Sequence, residues 1–160
     1  MASMAEARLD IAACLEHVDR YGLQGTAIET HLTAHLLATV CSVYEMEFQR
    51  LALSRLGAPA DSQVEAFLAA AVERTWRGLK LDDVAGFLAH FDESVKLEFK
   101  KGTLENPAAI AFSNIVTARH RSAHGLPFEM TLAELLFSFD KAGGILEIGM
   151  RALTTVTPSE

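Results

Sequence analysis

Apolar positions recur every three or four residues along almost the whole chain, the spacing that gathers side chains on one face of an α-helix. A first helix is predicted from about Ala5 to Tyr21, stopped by Gly22. Thr26-Ala27-Ile28-Glu29 has the form of a capping box, in which threonine and glutamate side chains satisfy orphan amides of a first turn. It opens a long helix to about Leu56, with Ile28, Leu32, Leu36, Val40, Val43 and Leu51 inward. Gly57-Ala58-Pro59-Ala60 breaks that helix. Asp61 caps a third one, running to roughly Leu79, whose apolar members are Val64, Phe67, Leu68, Ala71 and Trp76. Asp82 starts a shorter piece, Val84 to Phe91, continued or kinked into Ser94 to Lys101 and ended by Gly102. Asn106-Pro107 opens the next helix, with proline at the one helical position that tolerates it, and Gly125 and Pro127 close it. A second capping box, Thr131 to Glu134, begins a last helix towards Leu153, and a frayed tail from Thr154 to Glu160 follows.

Strand-like alternation, internal repeats and low-complexity stretches are absent. Short loops between long amphipathic helices predict an all-α, antiparallel bundle of about five or six helices in one domain, its core from about residue 5 to 153. At 160 residues, half of them hydrophobic, such a chain buries roughly 70% of the surface its unfolded form exposes. No apolar run approaches the roughly 20 residues that span a bilayer, and the start, Met1 to Glu6, has no apolar signal core. Cys14 and Cys41 share no metal-type spacing and read as free core thiols of a cytoplasmic protein. The net charge of −7 argues against a general nucleic-acid coat but allows a local basic pocket.

Chemistry concentrates in Arg119-His120-Arg121-Ser122-Ala123-His124-Gly125. Ala108, Phe112, Ile115 and Arg119, at spacings of four, three and four, form one stripe, so an arginine ends a run of buried positions. A desolvated guanidinium costs several kcal/mol unless it meets an anion or a cleft. Arg119 and His124 are five positions apart, about 140° around an unbroken helix. Either the last turn unwinds to bring them together, or two copies of the helix pack across a twofold axis.

The run Ile115-Val116-Thr117-Ala118-Arg119-His120-Arg121-Ser122-Ala123-His124-Gly125 resembles the signature of the HEPN superfamily. These small all-α domains carry an arginine, a polar residue, a few spacers and a histidine, and the likeness is nearest to the RiboL-PSP-HEPN branch. Helix order agrees, with a long second helix containing Tyr44, Glu45 and Glu47 and the motif late, before a final helix. The resemblance implies a metal-independent endoribonuclease acting as a homodimer, often a toxin restrained by an antitoxin protein or an effector of phage defence. It also implies a division of labour, without a cofactor. His124 takes the 2′-hydroxyl proton, Arg119 clamps the phosphate, and His120 or a twofold-related histidine protonates the leaving 5′-oxygen. Arg121 adds phosphate contacts. Glu45 and Glu47 on the second helix read either as supporting residues that orient the site or as exposed side chains. RNA is then left with a 2′,3′-cyclic phosphate and a 5′-hydroxyl.

Plainer readings stand beside these. Arg119 and His124 also suit a helix C-terminus for its dipole alone. His31/His35 and His120/His124 have metal-pair spacing but no third ligand in their motifs. Arg74, Trp76, Arg77 and Lys80 offer a cation-and-stacking surface for RNA, although an aromatic core anchor among solvated charges is the simpler account. Lys96, Lys100 and Lys101 read as an exposed helix end. Gly143, Gly144 and Gly149 lack phosphate-loop spacing and suggest close backbone packing, with a dimer contact as one candidate. Two other functions compete: a non-catalytic nucleotide- or protein-binding module of the same fold, and a ligand-sensing regulator with an apolar pocket.

Overall fold

A computed structural model describes residues 3–57, 59 and 61–155. Its helices are Met4–Tyr21 (α1), Ala27–Leu56 (α2), Ser62–Thr75 (α3), Leu81–Leu88 (α4), Glu93–Thr103 (α5), Pro107–Ala123 (α6), Leu132–Ala142 (α7) and Gly144–Thr155 (α8). The expected all-α bundle is present. Its fourth element kinks into α4 and α5, and its last is interrupted once, at Gly143. No described helix is long and apolar enough to cross a membrane.

Local signals set most boundaries. Ser3 caps α1 through a reciprocal box with Glu6, and Gly22 ends that helix in the left-handed conformation, φ 63°. Asp61 accepts from the Gln63 amide at 2.7 Å, and Asn106 accepts from the Ala108 amide at 2.9 Å ahead of Pro107. Thr131 and Glu134 form the expected box. At Thr26 the box is only half made. The threonine accepts from the Glu29 amide, but the Glu29 carboxylate reaches the Gly25 amide at 2.7 Å and, across the bundle, the Leu132 amide at 3.3 Å. Glu29 therefore ties the start of α2 to the start of α7.

α2 is the central element, packed on α1, α3, α6, α7 and α8. Around it the buried rings form a connected cluster. Tyr44 meets Phe112 edge-on at 5.1 Å and donates its hydroxyl to the Phe139 carbonyl at 3.3 Å. Phe48 stacks on Trp76 at 5.9 Å, and Trp76 meets Phe87 edge-on at 5.0 Å. Such ring pairs each add about 0.5–1.5 kcal/mol beyond area burial.

Several expectations change. α3 ends at Thr75, four residues early, and a non-helical turn carries Trp76 into the ring cluster. Val64 and Phe67 are outward, 44% and 71% exposed, and Ile28 on α2 is also exposed. α4 begins at Leu81, with Lys80 as its N-cap and Asp82 within the first turn. Gly102 does not end α5 but lies inside it, where a Cβ would stand 2.7 Å from Ile148 Cγ2 of α8. Gly144 and Gly149 make their close approaches within the chain, 3.1 Å from Ala108 Cβ and from Phe48 Cε1 when given a Cβ. The tail expected to fray lies outside the described residues from 156 onward.

Candidate functional site

α6 buries Ala109, Ala111, Phe112, Ile115 and Ala118, and then outruns the core. Arg119, expected to share the buried stripe, is exposed, because the buried face of α6 ends at Ala118. The desolvation cost anticipated for it therefore does not arise. Its side chain lines an open groove of about 500 Å³ between α2, α6 and the turn joining α3 to α4. His120 lines the same groove.

Three further elements complete its walls. Cys41, Ser42 and Glu45 contribute from α2, Arg77, Gly78 and Lys80 from the α3–α4 turn, and Asp83 from α4. Gly78, at φ 154°, leaves room for Asp83: a Cβ there would lie 3.1 Å from the carboxylate Oδ2. The groove thus gathers three permanent cations, Arg77, Lys80 and Arg119, beside an imidazole and two carboxylates. Among the described residues none of those cations has an ion pair within 4 Å. Guanidinium and ammonium groups held apart from carboxylates on a concave surface suit an anion of several oxygens, as a phosphodiester is.

Burial raises the Glu45 carboxyl above its ordinary value of 4.5, Arg119 pulls it back down, and Glu73 on α3 pushes it up again. Burial also pushes the Cys41 thiol up, to about 12, with Arg119 acting against it. Cys41 is accordingly a protonated, unreactive part of the wall.

His124 does not enter the groove. α6 stays helical through Ala123, and His124 is its C-cap, with its N–H directed to the His120 and Arg121 carbonyls, each at 3.2 Å. The unwinding that was one route to bring His124 beside Arg119 is absent. Its ring instead meets His120 edge-on, centroids 4.5 Å apart. Arg121 turns away as well. Its Nε donates to the Pro127 carbonyl at 2.5 Å, and the side chain lines a separate, wider groove with Phe128, Met130 and Phe137. Glu47 pairs with Arg50 at 2.7 Å and is not among the groove residues.

Of the expected site, Arg119, His120 and Glu45 share one groove, whereas His124, Arg121 and Glu47 lie outside it. Sequence reasoning placed Arg77 and Lys80 on the surface beside Trp76 and did not join them to Arg119. Trp76 packs against the core rings, and the turn that follows it carries the two cations that line the groove. Ala38, Ser42 and Glu45, at spacings of four and three on α2, are a legible signal for the groove's opposite wall. Lys96, Lys100 and Lys101 pair with Glu93, Asp82 and Glu98, an ordinary solvated surface. Among the described residues no three His, Cys, Asp or Glu side chains gather as metal ligands. No family model matches the chain, and no curated protein or solved structure is significantly similar to it.

Proposed function

We propose that this protein is a HEPN-like, metal-independent endoribonuclease that cleaves RNA at the Arg119 groove. The observation that supports the reading best is the sharing of one open groove by Arg119 and His120 with Arg77 and Lys80. Attack of a 2′-hydroxyl on the adjacent phosphorus needs a cation on the non-bridging oxygens, an acid for the leaving 5′-oxygen and a base for the 2′-proton. Arg119 is the clamp and His120 the acid. The HEPN resemblance gives the base to His124, which does not line the groove in the single chain although its ring lies against that of His120, and in this reading a second copy across a twofold axis supplies it. A toxin or phage-defence role, with an antitoxin partner, follows from the same resemblance.

Incubating the purified chain with a panel of end-labelled RNAs in chelator tests this directly. Cleavage by the wild type that is lost in His120→Ala is the expected result. Intact RNA throughout the panel would reject it. The divergence of His124 from Arg119 within one chain favours a second reading, a non-catalytic module that binds nucleotide phosphates in this groove. Retained RNA binding without turnover is its signature.

A further inference from the structure

A smaller cleft of about 260 Å³ adjoins the Arg119 groove, and Leu79, Lys80, Val116 and His120 line both. The two spaces differ in chemistry. The larger gathers permanent cations and carboxylates, whereas the smaller has aliphatic walls, Leu79, Leu81 and Val116, and the hydroxyls of Ser113 and Thr117. Asp82 also borders the cleft, but its carboxylate is paired with Lys100 at 3.0 Å. The hydroxyls are uncommitted. Every other threonine inside a described helix turns its hydroxyl back to a carbonyl three or four residues earlier, as Thr33 and Thr75 do at 2.9 and 2.7 Å. Among the described residues Thr117 and Ser113 make no hydrogen bond through their side chains, and Thr117 is exposed.

Resting on the ribonuclease reading, we infer that this cleft is the subsite for one nucleobase, that of the nucleotide on the 3′ side of the bond that breaks. A base is apolar on its faces and polar at its edge, which aliphatic walls with a few hydroxyls match. The cleft is smaller than the roughly 300–1,000 Å³ that a whole drug-sized ligand occupies, so it suits a single ring system. The side follows from the order of residues along the surface. His120 borders both spaces, so a nucleotide with its phosphate on Arg119 and its base in the cleft has His120 beside the sugar that joins them. The 5′-oxygen of that sugar is the one to which the proposed acid gives its proton. Lys80, also common to both spaces, adds a cation for the same phosphate. Because a hydroxyl both donates and accepts, the subsite takes purines and pyrimidines alike and selects for a base over an abasic sugar.

Titration calorimetry of the full chain in chelator, with adenosine 5′-monophosphate and with ribose 5-phosphate, tests the assignment. The nucleotide should bind about tenfold more tightly, the difference being the buried base. Arg119→Ala should weaken both ligands alike. Thr117→Trp, at an exposed position, should fill the cleft with an indole and bring the nucleotide down to the level of ribose 5-phosphate. Thr117→Val keeps the side-chain shape without the hydroxyl and should cost the nucleotide roughly 3–10-fold. Adenosine 3′-monophosphate should bind more weakly than the 5′-isomer, and the reverse order would overturn the assignment to the 3′ side. Equal affinity for nucleotide and ribose 5-phosphate, no binding of either, or a base advantage that survives both Thr117 variants overturns the subsite. RNA cleavage by the same preparation tells the two readings apart. Cleavage without a base advantage rejects the subsite alone, whereas a base advantage without cleavage rejects the ribonuclease reading and leaves a nucleotide-binding cleft.

Discussion

Glu29 and Glu45 stand on the same helix, one buried and the other partly so, and their surroundings differ. Glu29 is 7% exposed and accepts from two backbone amides, one of them on the first turn of α7. Every requirement of a buried carboxylate is met there, and the consequence is a fixed junction between α2 and α7. Glu45 is partly buried beside an exposed arginine and has no partner of its own among the described residues. A satisfied buried acid is part of the scaffold, whereas one left unsatisfied in an open groove is available to a ligand. On the proposed reading, the chain places its chemistry where its own hydrogen bonding stops.

The largest effect that sharpens this contrast is on the groove side. Arg119→Ala should lower RNA cleavage by about 10²–10³-fold, since on the proposed reading it removes the donor for the charge that develops on phosphorus. Its melting temperature should hardly move, because the side chain is exposed and, among the described residues, has no ion pair. Single-turnover kinetics beside a thermal melt check both halves. A large fall in melting temperature would make Arg119 a scaffold residue and erase the distinction.

Glu29→Ala should do the reverse. It leaves the Leu132 amide buried without an acceptor, at a cost of about 1–3 kcal/mol. Urea denaturation should report that loss, while the cleavage rate per folded molecule stays at the wild-type value. A rate that falls with stability intact would break the comparison.

The smallest effect concerns the pH dependence of stability. Glu45 is raised above 4.5 in the folded chain, so ionising it costs the folded state more than the unfolded one. Its favourable contribution is complete below that pH and is lost as pH rises through the higher folded-state value. Glu45→Gln should therefore be slightly more stable than the wild type near neutrality, by about 0.5 kcal/mol or less given solvent screening, and the gain should vanish in acid. Denaturation at two pH values checks the sign.

Features that a few neighbouring residues determine were readable from the sequence. Asn106-Pro107, Thr131 with Glu134, and Gly22 each satisfy backbone groups within one helical turn, and the structure has them where expected. Features that depend on distant partners were not. Glu29 has the spacing of a capping box, but its carboxylate is drawn off by an amide 103 residues away. Phe67 has the period of a core residue, yet among the described residues that face of α3 is left exposed, and periodicity alone cannot tell inward from outward. Gly102 looks like a helix stop because the side chain that needs its bare Cα, Ile148, is on another helix.

The candidate site divides in the same way. The Arg119-His120 pair was legible because it is contiguous and sits at the end of a buried stripe. Arg77 and Lys80 were not, since their approach depends on Trp76 packing between Phe48 and Phe87. The motif's second histidine was legible as a residue but not as a direction. Only the continuation of α6 through Ala123 fixes which way His124 points.

The most direct test of the central claim is the chemistry of the ends left on a single-stranded RNA by the purified chain in chelator. A 2′,3′-cyclic phosphate on one fragment and a 5′-hydroxyl on the other, both lost with Arg119→Ala, is the expected outcome. Fragments ending in 3′-hydroxyl and 5′-phosphate, or cleavage that persists in Arg119→Ala, would contradict it.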